Sequence, residues 1–231
     1  MSRSNTLRLR SGLVFLLLTL SGCSGPDGGS DATTTPATSP TVVPTLTEGD
    51  TLSAGRYALE HEGMRITFEA EGWEAWAYGV VAPEGAGPPG GRGLGFWVVD
   101  EVFMDPCQWN RGFFDPLVGP TVDDLTAAFK EQVGAGASSP EPVELAGYTG
   151  KEMRLQVPES IDLDRCWNTE FHLWTARPTG GRYVQGPGQI DMLWILDVDG
   201  TRLVIDAGYF PATSSEDREE LMDVVQSVRI E

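Results

Sequence analysis

Near the end of the chain two apolar runs, Met192 to Val198 and Thr201 to Tyr209, flank the dipeptide Asp199 and Gly200. Strand-like runs rich in Leu, Ile and Val around an Asp-Gly pair predict a β-hairpin closed by a tight turn. Earlier in the chain, alternation of apolar and polar positions predicts a first hairpin from Arg56–Leu59 and Met64–Phe68, with Tyr57, Leu59, Ile66 and Phe68 facing the core and His61 solvated in the turn. A third strand is expected over Ala75–Ala82, then a mobile surface loop of Gly and Pro over Pro83–Gly93, then a strand over Leu94–Met104. Thr121 caps a helix whose stripe is Val122, Leu125, Phe129 and Val133. Val143–Leu145, Gly150–Val157 and Phe171–Ala176 predict further strands, the last with Phe171, Leu173 and Thr175 on one face and His172 and Trp174 on the other. Arg182 to Gln189 is expected to be a connecting turn. Ser214 or Ser215 caps a closing helix that buries Leu221, Val224, Val225 and Val228. Strands joined by short turns, with two helices far apart, predict an α+β fold: an antiparallel sheet with two helices packed on one face or flanking it.

The first residues carry a different pattern. Arg3, Arg8 and Arg10 precede a short apolar run, Leu13 to Leu20, too brief to span a bilayer as a mature helix. Leu20, Ser21, Gly22 and Cys23 follow, and this order resembles the lipobox of bacterial lipoprotein signal peptides. The resemblance implies a signal peptide over residues 1–22, acylation of Cys23, and a protein held at the extracytoplasmic face of the cell membrane. Residues 23–54, dominated by Gly, Ser, Thr, Pro and Asp, are expected to be a disordered tether reaching about 3 nm. Residues 55–231 form the expected globular domain.

Charge narrows the partners. The 231 residues carry a net −18, and removing residues 1–22 leaves 13 basic against 34 acidic side chains, a net of −21. Such a surface repels nucleic acid, whose recognition needs clustered Lys and Arg. Attachment to the membrane therefore falls to acyl chains. The remaining partner is an envelope protein or a small ligand. With Cys23 set aside, Cys107 and Cys166 are an even pair in an exported chain, and a disulfide between them closes about 60 residues, worth about 4 kcal/mol on the chain-entropy view. A metal or redox pair is disfavoured, because neither cysteine has a CxxC spacing and His61 and His172 are the only imidazoles.

Candidate chemistry is sparse. Asp197, Val198, Asp199, Gly200 and Thr201 follow an apolar strand, which looks like the nucleophile motif of haloacid dehalogenase-like phosphatases. Only 30 residues follow Thr201, leaving no place for the later lysine and metal-positioning carboxylates of that family, so the segment is assigned to the hairpin turn. An EF-hand calcium loop lacks the rest of its pattern. His172 has no partner set for a catalytic base and is expected to be a surface or hydrogen-bonded residue. The aromatic loop around Cys107 and the glycine-flanked turn before the hairpin suggest a binding surface of Trp109, Trp174, Tyr183, Gln185 and Asp191. No catalytic residue, metal or cofactor is assigned. The expected function is a non-catalytic ligand- or protein-binding domain, with a carboxylate hydrolase or an accessory sensory module as alternatives.

The order of strand pairs, helix, strands, hairpin and closing helix is similar to the PsbP-like fold of some actinobacterial lipoproteins. From Gly181 to Glu231 the runs GRYVQGPGQ, LWILDVDGTRLVIDA and YFPATS also resemble a family of actinobacterial membrane-tethered lipoproteins. That likeness implies a domain type and no activity, since one fold hosts many functions.

Overall fold

A computed structural model describes residues 42–231. The expected signal peptide, the expected acylation site Cys23 and the first part of the expected tether lie outside the described residues.

The fold is α+β, built on a large antiparallel sheet. A small sheet pairs β1 (Gly55–His61) with β2 (Met64–Ala70), and β12 (Arg229–Ile230) adds to the free edge of β2. The large sheet holds β3 (Glu74–Trp76), β4 (Gly79–Val81), β5 (Arg92–Val102), β6 (Glu141–Leu145), β7 (Tyr148–Gln156), β8 (His172–Arg177), β9 (Gly181–Tyr183), β10 (Ile190–Val198) and β11 (Thr201–Tyr209). Its order is β3-β4-β5-β11-β10-β7-β6, every pair antiparallel. The second edge of β5 is divided: β4 pairs with its first half and β8 with its second, and β9 extends from β8.

The expected hairpin is the centre of this sheet. β10 and β11 stay in register from Ile190 opposite Tyr209 to Val198 opposite Thr201. Asp199 (φ 51°) and Gly200 (φ 87°) both take left-handed backbone, as a two-residue turn that follows the twist of its strands requires. Asp197 Oδ1 accepts from the Gly200 N–H at 2.8 Å, so the first aspartate of the phosphatase-like motif braces the turn from an exposed position.

Alternation along these strands feeds two cores. Trp194, Leu196, Val198, Leu203 and Ile205 face the small sheet and α2 (Ser215–Gln226), which contributes Leu221, Val224 and Val225. Leu193, Ile195 and Val204 face α1 (Val122–Glu131), which contributes Leu125 and Phe129. The helices therefore cover opposite faces of the large sheet, where one shared face or a flanking place was expected. Each helix starts as its sequence directs: Thr121 and Asp124 form a reciprocal capping box, and Ser214 accepts from the Asp217 N–H.

Several local expectations are corrected. Ala75–Ala82 is not one strand but two short ones, because the chain folds back at Ala77 and Tyr78; Gly79 then runs so close to β5 that a Cβ there would lie 2.0 Å from the Leu94 carbonyl oxygen. Val133 is exposed, since α1 stops at Glu131 and Gln132 turns inward to donate to the Phe103 and Leu173 carbonyls at 2.9 and 2.7 Å. His61 is buried against Tyr78 and not solvated. Arg182 and its neighbours are a strand, β9, where a plain connecting turn was expected. Order also begins before Gly55: the Leu46 N–H donates to Ala58 O, and Leu52 is buried, so residues 44–54 of the expected tether lie along the sheets. The expected disulfide joins Cys107 and Cys166, tying the turn Pro106–Arg111 to the loop beside Trp167.

Candidate functional site

On the α1 side of the large sheet, toward the β3–β4 end, side chains run out. Gly93 and Gly95 of β5 and Gly208 of β11 point to this face at adjacent register positions, since Gly95 pairs with Asp206 and Gly93 with Gly208. Three missing side chains leave a hollow of about 430 Å³, within the range of small-molecule sites. Trp76 and Trp97 form its aromatic side; Arg182, Gln185, Gln189 and Asp206 form its polar side. The glycines cannot be exchanged freely. A Cβ on Gly208 would stand 2.8 Å from Arg182 Nη2 and 2.9 Å from Asp191 Oδ1, and one on Gly95 would stand 2.8 Å from Trp97 Nε1.

The polar side is a closed ionic network. β9 carries Arg182 over the sheet, where its Nε donates to Asp206 Oδ2 at 2.5 Å, Nη2 to Asp191 Oδ1 at 2.6 Å and Nη1 to the Tyr183 carbonyl at 2.8 Å. Gln189 Nε2 donates to Asp191 Oδ1 at 2.6 Å, and its Oε1 accepts from the Gln185 N–H at 2.6 Å. Asp191, Asp206 and Gln189 are almost wholly buried.

One guanidinium faces two carboxyls here. Burial disfavours the charged form of Asp206 and, with Asp191 alongside, outweighs the attraction of Arg182; its pKa is pushed up to about 7. Burial opposes the charge on Arg182 too, but the two aspartates more than offset it and its pKa rises. Asp191 Oδ2, Asp206 Oδ1 and Trp97 Nε1 are buried without a hydrogen-bond partner. Buried polar atoms are normally satisfied, and two of these orphans, on Asp206 and Trp97, belong to residues that line the hollow.

A second cluster surrounds His172. Its ring stacks on Tyr183 at 3.7 Å between centroids and packs against Phe103 at 4.6 Å and Trp109 at 5.5 Å. Both ring nitrogens lack a partner, and burial lowers its pKa to about 4. His172 is thus not a surface residue but a buried, neutral imidazole used as an aromatic plate.

The predicted surface divides between these places. Gln185 lines the pocket and Asp191 anchors its arginine. Tyr183 lends the network its carbonyl, while its ring belongs to the His172 stack. Trp109 caps that stack and donates from Nε1 to the Trp167 carbonyl at 3.1 Å. Trp174 is fully buried in the core, 5.2 Å from Phe129 and 6.3 Å from Trp97. The residues not anticipated are Arg182, Gln189, Asp206, Trp76, Trp97 and the floor glycines. One signal was present: Asp191 and Asp206 interrupt apolar runs at inward positions, where a carboxylate needs a partner. Among the described residues no group of three His, Cys, Asp or Glu side chains is placed to hold a metal ion. No protein-family model and no curated protein matches the chain.

Proposed function

We propose that the chain is an extracytoplasmic lipoprotein, tethered through Cys23, whose domain binds a small ligand in the glycine-floored pocket without turning it over. The observation that carries this reading is the pocket itself: a hollow of about 430 Å³ floored by Gly93, Gly95 and Gly208, bounded by two tryptophans and closed by a buried ionic network. Trp76 and Trp97 are reporters, so a broad ligand panel is to be read by tryptophan fluorescence and thermal stability. Silence in both across metabolites and envelope extract removes the small-ligand reading. For the tether, Cys23→Ala is expected to release the protein from the membrane fraction; retention in the membrane would count against acylation. The order of strand pairs, helix, strands, hairpin and closing helix supports a PsbP-like arrangement.

The hydrolase alternative has one observation in its favour, a carboxyl whose pKa lies at about 7 beside a second carboxyl in a pocket. Turnover that disappears in a folded Asp206→Asn variant would replace the binding reading with this one.

A further inference from the structure

The polar side of the pocket carries an unbalanced charge. Arg182 is the only cation among the described residues that line the hollow, and each of its three nitrogens is already committed. Against it stand Asp191 and Asp206, with Glu74 at the rim. Arg182 takes one oxygen from each buried aspartate, and the other two, Asp191 Oδ2 and Asp206 Oδ1, receive no donor. A buried excess of negative charge is costly in a low-dielectric site. It is relieved either by a proton on the carboxyl pair or by a cation from outside.

The other side of the hollow decides what kind of cation fits. Trp76 and Trp97 lie 5.6 Å apart between ring centroids, and Tyr78 stacks behind Trp97 at 4.9 Å. Aromatic rings attract ammonium groups through their negative faces, and the attraction grows when the site is sheltered from water. A bare metal ion would instead need several oxygen ligands. An anion would meet Asp206 and Glu74 as well as a chain of net charge −18, and a neutral ligand would leave the charge excess where it is. We infer that the ligand of this pocket is a small organic cation, an alkylammonium whose head group sits between Asp206 and the indoles of Trp76 and Trp97. The inference rests on the pocket being a ligand site.

The carboxyl pair then works as a proton exchanger. Asp206 is packed against Arg182 of β9 and Asp191 of β10, with Glu74 of β3 facing the same hollow, and its proton is held up to about pH 7. An arriving ammonium replaces that proton, so affinity rises with pH until Asp206 is ionised without help.

The test uses the full acylated chain in a non-ionic detergent. Choline, benzyltrimethylammonium and butylammonium are titrated by calorimetry against the uncharged isostere 3,3-dimethylbutan-1-ol, at several pH values from 5.5 to 8 and in buffers of differing ionisation enthalpy. The expected result is a preference of at least about tenfold for a cation over the isostere, proton release on binding at pH 6, and an affinity that falls up to about tenfold per pH unit below 7, the limit for one competing proton. Asp206→Asn keeps an acceptor for Arg182 and adds a donor for Asp191, so it should fold and yet lose at least about tenfold in cation affinity. Trp76→Leu, which leaves the network untouched, should lose several-fold. Equal binding of cation and isostere, no binding of any cation, or undiminished cation binding by both variants overturns the inference. If an uncharged compound binds the pocket and no cation does, the ammonium inference fails while the pocket reading stands. If nothing in the broader panel binds, both fail.

Discussion

Asp191 and Asp206 lie on neighbouring strands, offset by two residues in the β10–β11 register, and each gives one oxygen to the same guanidinium: Asp191 Oδ1 to Arg182 Nη2 at 2.6 Å and Asp206 Oδ2 to Nε at 2.5 Å. Removing the shared partner should be far more damaging than altering either acid. Arg182→Met leaves two buried carboxyls without a counter-charge, and the expected loss is about 3–5 kcal/mol in urea denaturation at pH 7. Part of that loss should return at acid pH as the carboxyls take up protons. A variant with unchanged stability would mean that the network contributes nothing to the fold.

The same network gives stability an unusual pH dependence. Asp206 has a folded pKa of about 7 against an ordinary 3.8, so the folded protein holds more protons than the unfolded chain between those values. Its contribution is fully present below about pH 4 and is lost as pH rises through about 7, with an upper bound of about 4 kcal/mol. Urea midpoints across this window, wild type against Asp206→Asn, isolate the effect: the difference should swing in favour of the variant as pH rises.

His172 acts in the opposite sense. Its pKa falls from an ordinary 6.5 to about 4, so the unfolded chain binds the extra proton within that window. Its contribution is present above 6.5 and is lost as pH falls through about 4, with an upper bound of about 3 kcal/mol. His172→Phe keeps the stack with Tyr183 and Phe103 and removes two orphaned nitrogens. It should be as stable as wild type or more so, with a flatter profile from pH 4 to 6.5. Titration of the His172 ring by NMR near its ordinary value would contradict the buried, neutral imidazole.

Gly208→Ala separates the pocket floor from ordinary glycine positions. The new methyl would crowd Arg182 Nη2 and Asp191 Oδ1 at 2.8 and 2.9 Å, and neither atom can retreat without lengthening the ion pair. The expected cost is about 1–3 kcal/mol, together with loss of ligand binding. Alanine at Gly63, where nothing lies within 4 Å, should cost only the strain of a positive φ, about 1 kcal/mol. Thermal melts of the two variants measure the contrast.

Reduction of Cys107–Cys166 should lower stability by about 4 kcal/mol, from the 59-residue separation that the bridge closes. The turn that carries Trp109 onto His172 would then be held only by its aromatic packing and by hydrogen bonds such as Gln108 Nε2 to the Arg165 carbonyl at 3.2 Å. Tryptophan emission should shift to the red on reduction as Trp109 and Trp167 gain water. An unchanged midpoint and spectrum would show that the bridge is not needed to hold this loop.

Features that depend on near neighbours in the chain could be read directly from the residues. The hairpin was legible because Asp199 and Gly200 separate two apolar runs, and the turn they form needs only its own backbone angles and the brace from Asp197. Helix starts at Thr121 and Ser214 were legible because a capping side chain bonds an N–H three residues away. The disulfide was legible by arithmetic on three cysteines, once Cys23 was set aside for its resemblance to a lipobox cysteine. The pocket, by contrast, exists only once distant strands are packed together. Gly93 and Gly208 are separated by 114 residues of chain, and no local pattern announces that the β5–β11 register sets them side by side, with Gly208 beneath Arg182. Trp174 looked like a ligand surface and Asp206 like one polar residue in an apolar run. Which of them meets a hollow was set by the layer packed on each face: α1 puts Phe129 against Trp174, while β9 swings Arg182 over Asp206. Side chains that alternate along a strand state that two faces exist; only the packing of distant elements states which face is filled and where it is left open.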